Sequence, residues 1–309
     1  MKKINFLLTI FAVTAMMFLS SCEKDNEDPM PAPSTGMTIA EYLSDKPDYS
    51  ILVQAAAKAG LVDELGGTTN LTLFAPTNAA FNALFAQLGV SGIADLSAET
   101  LTPILLYHAL AGEKKSSSLA AGYYATLSPA QGNFASMNIS TSGGVKIDNE
   151  AMVTTADIDV KNGVIHAIDK VLIPPTIVDL AVDNSNFSIL VQAVLKADLA
   201  ETLNGPGPFT VFAPTDAAFE SLFTDLGVSG VADLTAEQLT PILLYHVVSG
   251  NVRSTSLVNG PAETLNGNIE ISLSPAPNIN GTSNIIATDV QGTNGVVHVI
   301  DKVLLPAAK

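Results

Sequence analysis

Two tyrosine–histidine pairs, Tyr107–His108 and Tyr245–His246, are the residues of this sequence best suited to recognition or proton chemistry. A histidine titrates near neutral pH, and a tyrosine offers a rigid aromatic ring with a polar tip. His108 follows Ile104 by four residues, on the apolar face of a predicted helix. This spacing favours a core histidine whose ring nitrogens are hydrogen-bonded. The two pairs are nevertheless the candidate partner-binding residues, with the tyrosines expected to contribute marginally.

The two other histidines do not predict a catalytic centre. His166 and His298 lie in apolar strand-like runs, three residues before Asp169 and Asp301. Odd spacing along a strand directs two side chains to opposite faces, so we expect no local His–Asp pair. No serine lies in a G-x-S-x-G elbow, and no glycine-rich loop matches a phosphate cradle. The sequence therefore predicts neither an enzyme nor a cofactor.

Charge and composition exclude further classes of protein. The 309 residues include 30 acidic and 14 basic ones, for a net charge of −16. Without clustered cations the chain is not expected to bind nucleic acid, and anionic lipid headgroups would repel it. The single cysteine excludes disulfide frameworks and cysteine-based zinc sites. Apolar residues make up 47% and charged residues 14%, which is typical of a globular protein of one or two domains.

The N-terminus predicts an exported lipoprotein. Lys2 and Lys3 precede an apolar stretch that ends in Leu19-Ser20-Ser21-Cys22. This pattern is typical of a signal peptide over residues 1–21, and its last four residues resemble the bacterial lipobox. We expect Cys22 to be lipidated and to provide the only membrane attachment. The acidic, proline-rich residues 22–36 predict an extended tether and resemble a surface-export signal, so the expected location is the outer membrane, exposed at the cell surface.

The rest of the chain consists of two copies of one sequence repeat. Residues 50–55 recur at 188–193, an offset of 138, and the closing residues 164–172 recur at 296–304, an offset of 132. Residues 88–108 and 226–246 differ at only three of 21 positions. A repeat of this length is a domain. We predict domains at 37–173 and 176–306, held in a restricted orientation by Pro174-Pro175.

Within each copy, helices come first and antiparallel strands follow. Phe81, Leu84, Phe85 and Leu88 form a helical stripe, which Phe219, Leu222, Phe223 and Leu226 repeat. Thr77 and Thr215 are expected N-caps, Gly89 and Gly227 expected helix ends, and Thr102-Pro103 and Thr240-Pro241 expected helix starts. Asn162-Gly163 and Asn294-Gly295 predict hairpins, because Asn-Gly tolerates the positive φ of a tight turn. The order of elements predicts the α+β class.

One acidic segment superficially resembles a calcium loop. It runs from Asp157 through Asp159 to Gly163. Lys161 takes a ligand position, the glycine comes one residue late, and the second copy has no counterpart to the paired aspartates. We therefore expect no metal site here.

Three motifs of each copy resemble the fasciclin domain. They are residues 72–77 and 210–215 for the first signature box, the two tyrosine–histidine pairs, and residues 163–172 and 295–304 for the second box. The resemblance implies an α+β wedge built on a β-sandwich, with helices from the N-terminal half packed on it. It also implies an extracellular adhesion or ligand-binding role without catalysis. The tyrosine–histidine region is linked to integrin binding in animal members, and only its position carries over to Tyr107, His108, Tyr245 and His246.

Two functional classes are open on these grounds. The first is a non-enzymatic surface lipoprotein whose tandem domains bind an extracellular protein or glycan. The alternative is an accessory lipoprotein that captures a ligand for a nutrient-uptake system. A large apolar pocket with convergent polar groups would favour the second class, and a ridged surface the first. The sequence does not name the ligand.

Overall fold

A computed structural model describes residues 36–307 of the chain. The expected signal peptide at 1–21, Cys22 and all of the expected tether except Gly36 lie outside the described residues. Within residues 36–307, no helix combines the length and the apolar character needed to cross a membrane.

The first domain alternates short helices with strands before it becomes an all-strand segment. Its elements are α1 (Ile39–Asp45), α2 (Ser50–Ala59), α3 (Val62–Gly66), β1 (Leu71–Pro76), α4 (Asn78–Leu88), α5 (Ala98–Tyr107), β2 (Ala109–Ala111), β3 (Gly122–Ala130), β4 (Asn133–Ser140), β5 (Lys146–Ile147), β6 (Ala151–Val160) and β7 (Gly163–Ile168).

The second domain repeats this order. Its elements are α6 (Ile177–Val182), α7 (Ser188–Lys196), α8 (Ala200–Leu203), β8 (Phe209–Pro214), α9 (Asp216–Leu226), α10 (Ala236–Leu244), β9 (Val247–Ser249), β10 (Gly260–Thr264), β11 (Gly267–Ser272), β12 (Asn278–Ile279), β13 (Ser283–Gly292) and β14 (Gly295–Ile300). The expected α+β class is confirmed.

The seven strands of each domain close into a barrel. In the first domain, neighbouring strands pair antiparallel from β1 through β7, and β7 then pairs parallel with β1 to close the ring. The closing register places Phe74 beside His166, and in the second domain Phe212 beside His298. Both signature boxes of the sequence therefore lie side by side on the two strands that close the barrel.

Each closing strand faces two separate cores. Side chains alternate along a strand, so Leu73 and Ala75 of β1 join the core between barrel and helices, while Phe74 joins the core inside the barrel. Strand β7 divides in the same way, with Ile165 on the helix side and Ile168 inside. This two-sided burial explains why both signature boxes read as nearly continuous apolar runs.

The ends of α4 are those predicted from the sequence, whereas the start of α5 is not. Thr77 caps α4 by accepting from Ala80 N–H, and Gly89 ends it in the left-handed conformation, as predicted. The stripe is buried except for its last member, since Leu88 is 51% exposed. Thr102-Pro103 does not start a helix, which is a correction. Ser97 caps α5 five residues earlier, and Pro103 lies inside the helix.

The second domain shows the same correction. Thr235 caps α10 with a capping box to Gln238, and Pro241 lies inside that helix. Thr240 Oγ1 donates back to Ala236 O at 2.8 Å, as Thr102 does to Ala98 in the first domain. In both helices a capping side chain six residues before the proline determines where the helix starts.

The predicted hairpins form. Val160 pairs with Gly163 across a tight turn, and Gly163 has a positive φ of 140°, whereas Asn162 is not among the residues with positive φ. A Cβ on Gly163 would lie 1.9 Å from Leu71 O, so glycine is required by the close approach of β1. Asn162 is buried and its side chain binds Ile39 N–H, Leu65 O and Gly67 O. The Asn-Gly pair thus ties the hairpin to the N-terminal helices.

The two domains contact each other directly. Gln291 N–H on β13 donates to Ser136 Oγ on β4 at 2.9 Å, and Gln291 is 1% exposed. Asn184 Nδ2 donates to Tyr123 OH at 3.0 Å, and the Tyr123 ring packs against the helix-side core of the second domain. A buried backbone donor of one domain is therefore satisfied by a side chain of the other.

Candidate functional site

The histidine of each tyrosine–histidine pair forms hydrogen bonds that connect a helix to the C-terminal segment of its domain. His108 caps α5, and its Nδ1–H donates to Ile104 O at 2.8 Å. Its Nε2 accepts from Leu172 N–H at 2.9 Å, which fixes the tautomer. His246 makes the same two bonds, to Ile242 O and from Leu304 N–H, both at 2.8 Å. Each imidazole therefore links its helix to the segment that follows the closing strand.

These imidazoles are held neutral. His108 is 0% exposed and His246 is 2% exposed. Burial lowers the pKa of each to about 4, opposed only by the bond to the helix carbonyl, which favours the charged form. Both ring nitrogens are engaged within the chain, so at neutral pH neither is available to a metal or a partner.

The tyrosines lie in the barrel cores, and their surroundings differ. The hydroxyl of Tyr107 lies 2.9 Å from both Ser136 O and Asp148 Oδ2. Asp148 also accepts from Asn138 N–H at 2.8 Å and is 9% exposed. Burial raises the pKa of Asp148 to about 6, although these hydrogen bonds favour its charged form.

In the second domain an amide takes the place of that carboxylate. Tyr245 OH donates to Asn268 O at 2.8 Å and accepts from Asn280 Nδ2 at 3.2 Å. Asn280 Oδ1 accepts from Glu270 N–H at 2.8 Å. The two tyrosine sites thus have the same geometry, and only the first contains a carboxyl group.

A second polar cluster, which the sequence reasoning missed, surrounds the other histidines. Asp157 lies in a bulge of β6 with φ 60°, accepts from Ser116 N–H at 2.7 Å, and accepts a very short bond from Ser116 Oγ. Its own N–H donates to His166 Nδ1 at 3.2 Å, while His166 Nε2–H donates to Lys114 O at 2.9 Å. Asp289, Ser254 and His298 repeat this arrangement in the second domain.

The three residue types are those of a hydrolase triad, but the geometry is not. The serine donates to the aspartate, and the histidine receives the aspartate's backbone N–H, so the histidine does not reach the serine hydroxyl as a base must. Burial lowers the pKa of His166 and of His298. The cluster connects the loop before β3 to the bulge in β6 through hydrogen bonds, and its role is therefore structural.

The second copy keeps one of the two aspartates of this segment. Asp289 corresponds to Asp157, whereas Asp159 is replaced by Gln291, so the second copy lacks the pair. A signal for the polar cluster was present in the sequence, since Asp157 and Asp289 each precede the core histidine of their domain by nine residues. The side chain of Asp159 binds Lys115 Nζ at 3.1 Å. Among residues 36–307 no three His, Cys, Asp or Glu side chains gather closely enough to hold a metal ion.

The four predicted partner-binding residues are brought together as pairs and buried. Tyr107 is 0% and Tyr245 is 7% exposed. A partner at these positions would have to contact the outer residues of α5 and α10, such as the exposed Glu99. Their role in partner binding stays a prediction.

Comparisons with known proteins give one consistent family. The family model of the fasciclin domain matches residues 47–174 and again residues 185–306. Transforming growth factor-beta-induced protein ig-h3 of Sus scrofa is 32% identical over 302 residues, which cover 91% of this chain and 39% of that protein. The chain thus spans about two fifths of the length of this animal relative.

Two further matches come from a bacterium and from a solved structure. Protein sll1483 of Synechocystis sp. (strain ATCC 27184 / PCC 6803 / Kazusa) is 40% identical over 132 residues, which cover 42% of this chain and 73% of that protein. A FAS1 domain pair from the insect cell adhesion molecule fasciclin I matches with a TM-score of 0.46 and 21% identity, over 84% of this chain and 95% of that one. The family match indicates no enzyme family. Because both halves of the chain match the family model, the resemblance is confirmed, and the chain belongs to the fasciclin domain family.

Proposed function

We propose that this protein is a non-enzymatic surface lipoprotein whose paired fasciclin domains bind an extracellular protein or glycan. The observation that carries the proposal is that every described histidine has a structural role inside a core. All four are buried, and both ring nitrogens of each take part in hydrogen bonds within the chain. The groups best suited to catalysis thus hold the fold together, and the outer surface of the domain pair is left for interaction.

Direct contact between the domains supports an adhesive role. The buried Gln291–Ser136 bond and the packing of Tyr123 against the second core restrict the two barrels to one arrangement. A preorganised pair loses less conformational freedom on binding than two barrels on a flexible linker. Such a pair can present loops of both domains to one ligand.

Nutrient capture is the less favoured proposal. The cavities on the helix side of the barrels measure about 100 Å³ in the second domain and 30 Å³ in the first. Pockets that enclose a small molecule are usually about 300–1,000 Å³ and contain several convergent polar groups. A nutrient the size of a sugar would therefore not be enclosed in either.

Binding to arrays of extracellular matrix proteins and glycans tests the adhesive proposal. The full chain should bind a defined protein or glycan saturably, and a sample unfolded by heat should not. Saturable binding of a free sugar or amino acid, with no signal on either array, would favour nutrient capture instead.

Lipid attachment at Cys22 is proposed on the residues Leu19-Ser20-Ser21-Cys22. In a Cys22→Ala variant expressed in a lipoprotein-exporting bacterium, we expect loss of labelled-lipid incorporation and release into the soluble fraction. Proteinase added to whole cells should digest the wild type. Lipid incorporation unchanged by the substitution would contradict the anchor, and protection from proteinase until the outer membrane is broken would contradict surface exposure.

A further inference from the structure

A cavity of about 100 Å³ separates the N-terminal helices of the second domain from the outer face of its barrel. Helices α6 and α7 contribute Ala181, Leu190 and Val194 to its wall, and β8 and α10 contribute Val211 and Leu243. The site is distinct from the polar clusters around the tyrosines and from the domain–domain contact.

The first domain shows why the cavity exists. Ile39 and Ile177 are equivalent, because the N–H of each donates to the hairpin asparagine of its domain. Four residues further on, the first domain has Leu43, which is 1% exposed and packed in the core, whereas the second has Ala181. The corresponding cavity of the first domain measures about 30 Å³. The replacement of leucine by alanine removes the side chain that fills this space.

The opening of the cavity also has larger apolar side chains in the second domain. Val182 and Leu195 line it and are 59% and 63% exposed, so the cavity reaches the surface between them. The equivalent residues of the first domain are Ser44 and Ala57. Three neighbouring differences between the repeats therefore act together, since Ala181 enlarges the cavity and Val182 and Leu195 extend the apolar surface at its entrance.

The lining offers nothing to a polar ligand or to water. His246 is its one polar residue, and both of its ring nitrogens are engaged, with Ile242 O and Leu304 N–H. A water molecule needs two to four polar partners, whereas apolar cavities of about 150 Å³ bind benzene or xenon. The contents that suit this lining are hydrocarbon.

We propose that this pocket binds the methyl end of one alkyl chain, from a free single-chain amphiphile whose headgroup stays in solvent. The volume suits a chain end rather than two chains or a ring system with substituents. Beyond the pocket, the chain would lie against Val182 and Leu195. The proposal does not depend on the adhesive function, because the pocket lies in one domain and needs no partner protein.

Titration of the full chain with butanol, hexanol and octanol, followed by the NMR shifts of its leucine and valine methyl groups, tests the proposal. Binding should saturate, the shifts should be confined to the cavity-lining residues of α6, α7, α8, β8, α10 and β9, and affinity should rise about fourfold per added methylene. Ala181→Leu should weaken octanol binding at least tenfold without lowering Tm, because it restores the side chain found in the first domain.

Two variants keep the test decisive if Ala181→Leu is poorly folded. Leu195→Ala alters an exposed position to the residue of the first domain and should weaken octanol binding while leaving Tm unchanged. Leu43→Ala should give the first domain a second site of similar affinity.

Several results would overturn the proposal. They are equal methyl shifts in both domains of the wild type, octanol affinity unchanged by both Ala181→Leu and Leu195→Ala, and shifts that follow a monomer–dimer equilibrium in sedimentation. Flotation of the wild type, but not of Ala181→Leu, with phosphatidylcholine vesicles would assign the pocket to a membrane lipid and not to a free amphiphile.

Discussion

Asp148 and Asn280 occupy the same position in the two domains, each beside the hydroxyl of a buried tyrosine. Both lie in the left-handed region, with φ of 48° and 54°, and each accepts a backbone N–H from the neighbouring strand. The carboxylate and the amide are nearly the same size, so the repeat contains its own comparison between a titratable and a neutral group in one environment. The two domains should consequently respond to pH differently.

The first prediction is that Asp148→Asn stabilises the first domain at alkaline pH. Burial raises the pKa of Asp148 from 3.8 to about 6. The folded domain therefore holds this proton more tightly than the unfolded chain does. The stability that results is fully present below pH 3.8 and is lost as the pH rises through 6. Removing the charge should raise the free energy of unfolding at pH 8 by up to about 3 kcal/mol, and change it little at pH 3.5.

Denaturant unfolding at both pH values measures this effect. The matched control is Asn280→Asp, which should destabilise the second domain at pH 8 by a similar amount. Equal effects of Asp148→Asn at pH 3.5 and pH 8 would show that the carboxylate is not desolvated.

The second prediction concerns acid. Burial lowers the pKa of His108 and of His246 from 6.5 to about 4, so the stability they provide is present above pH 6.5 and is lost as the pH falls through 4. Each can account for about 3 kcal/mol over that interval. Buried carboxyl groups act in the opposite direction in both domains, because burial raises the pKa of Asp148 to about 6 in the first and that of Asp183 to about 7 in the second. The net acid slope of each domain should therefore be shallower than its histidine alone would give.

The unfolding of each domain, followed by its own NMR signals, tests this prediction. His246→Gln should reduce the loss of stability of the second domain in acid and leave that of the first domain unchanged. An acid slope of the second domain that His246→Gln does not alter would contradict its assignment to the buried histidine.

Sequence patterns sufficed for the elements whose causes are local. The cap at Thr77, the stop at Gly89 and the stripe around Phe81 depend on residues within one or two turns, and these were predicted correctly. The α5 start at Ser97 was missed because a proline was given more weight than a capping side chain. The local signal for the start of α5, the capping side chain of Ser97, was therefore present in the sequence but was given less weight than the proline.

The polar clusters were missed for a different reason. Asp157 reaches Ser116 across 41 positions of sequence, and it meets His166 through its backbone N–H at a β-bulge. A bulge changes which residues share a face, so counting odd and even positions could not find this contact. The pairing of Gly163 with the backbone of Leu71 is likewise created by barrel closure, not by the hairpin itself.

The third prediction tests the helix-side core. Phe81 and Phe219 are each 1% exposed, so their replacement by alanine should cost about 3–5 kcal/mol in the stability of their own domain. Leu88→Ala is the matched control on the same stripe, because Leu88 is 51% exposed and should cost less than about 0.5 kcal/mol. Thermal and denaturant unfolding measure both. A large loss of stability in Leu88→Ala would contradict this prediction, because it would mean that the Leu88 side chain is packed although it is exposed in the structure.

The fourth prediction concerns the domain–domain contact. Ser136→Ala leaves the buried N–H of Gln291 without its acceptor and should weaken the coupling of the two domains by about 1–3 kcal/mol. The control is Ser128→Ala, since Ser128 is also fully buried but its hydroxyl has no hydrogen-bond partner among the described residues. The melting transitions of the two domains are expected to lie further apart in Ser136→Ala than in Ser128→Ala. Unchanged coupling in Ser136→Ala would mean that the other contacts, which include the packing of Tyr123 and the bond from Gln131 to Thr293 O, suffice to join the domains.

The last prediction separates a structural from a recognition role for the tyrosines. Tyr107→Phe keeps the ring and removes the hydroxyl that lies beside Ser136 O and Asp148, both inside the barrel. Because Tyr107 is 0% exposed, the loss should appear as a lower Tm of the first domain, worth about 1–3 kcal/mol, with affinity for an array-identified ligand unchanged while the domain is folded. Tyr245→Phe should act in the same way on the second domain. A melt and a binding curve are measured for each variant at a temperature well below both transitions. Unchanged Tm together with binding weakened tenfold or more would reverse this assignment, because it would require the buried hydroxyl to be exposed when the ligand binds.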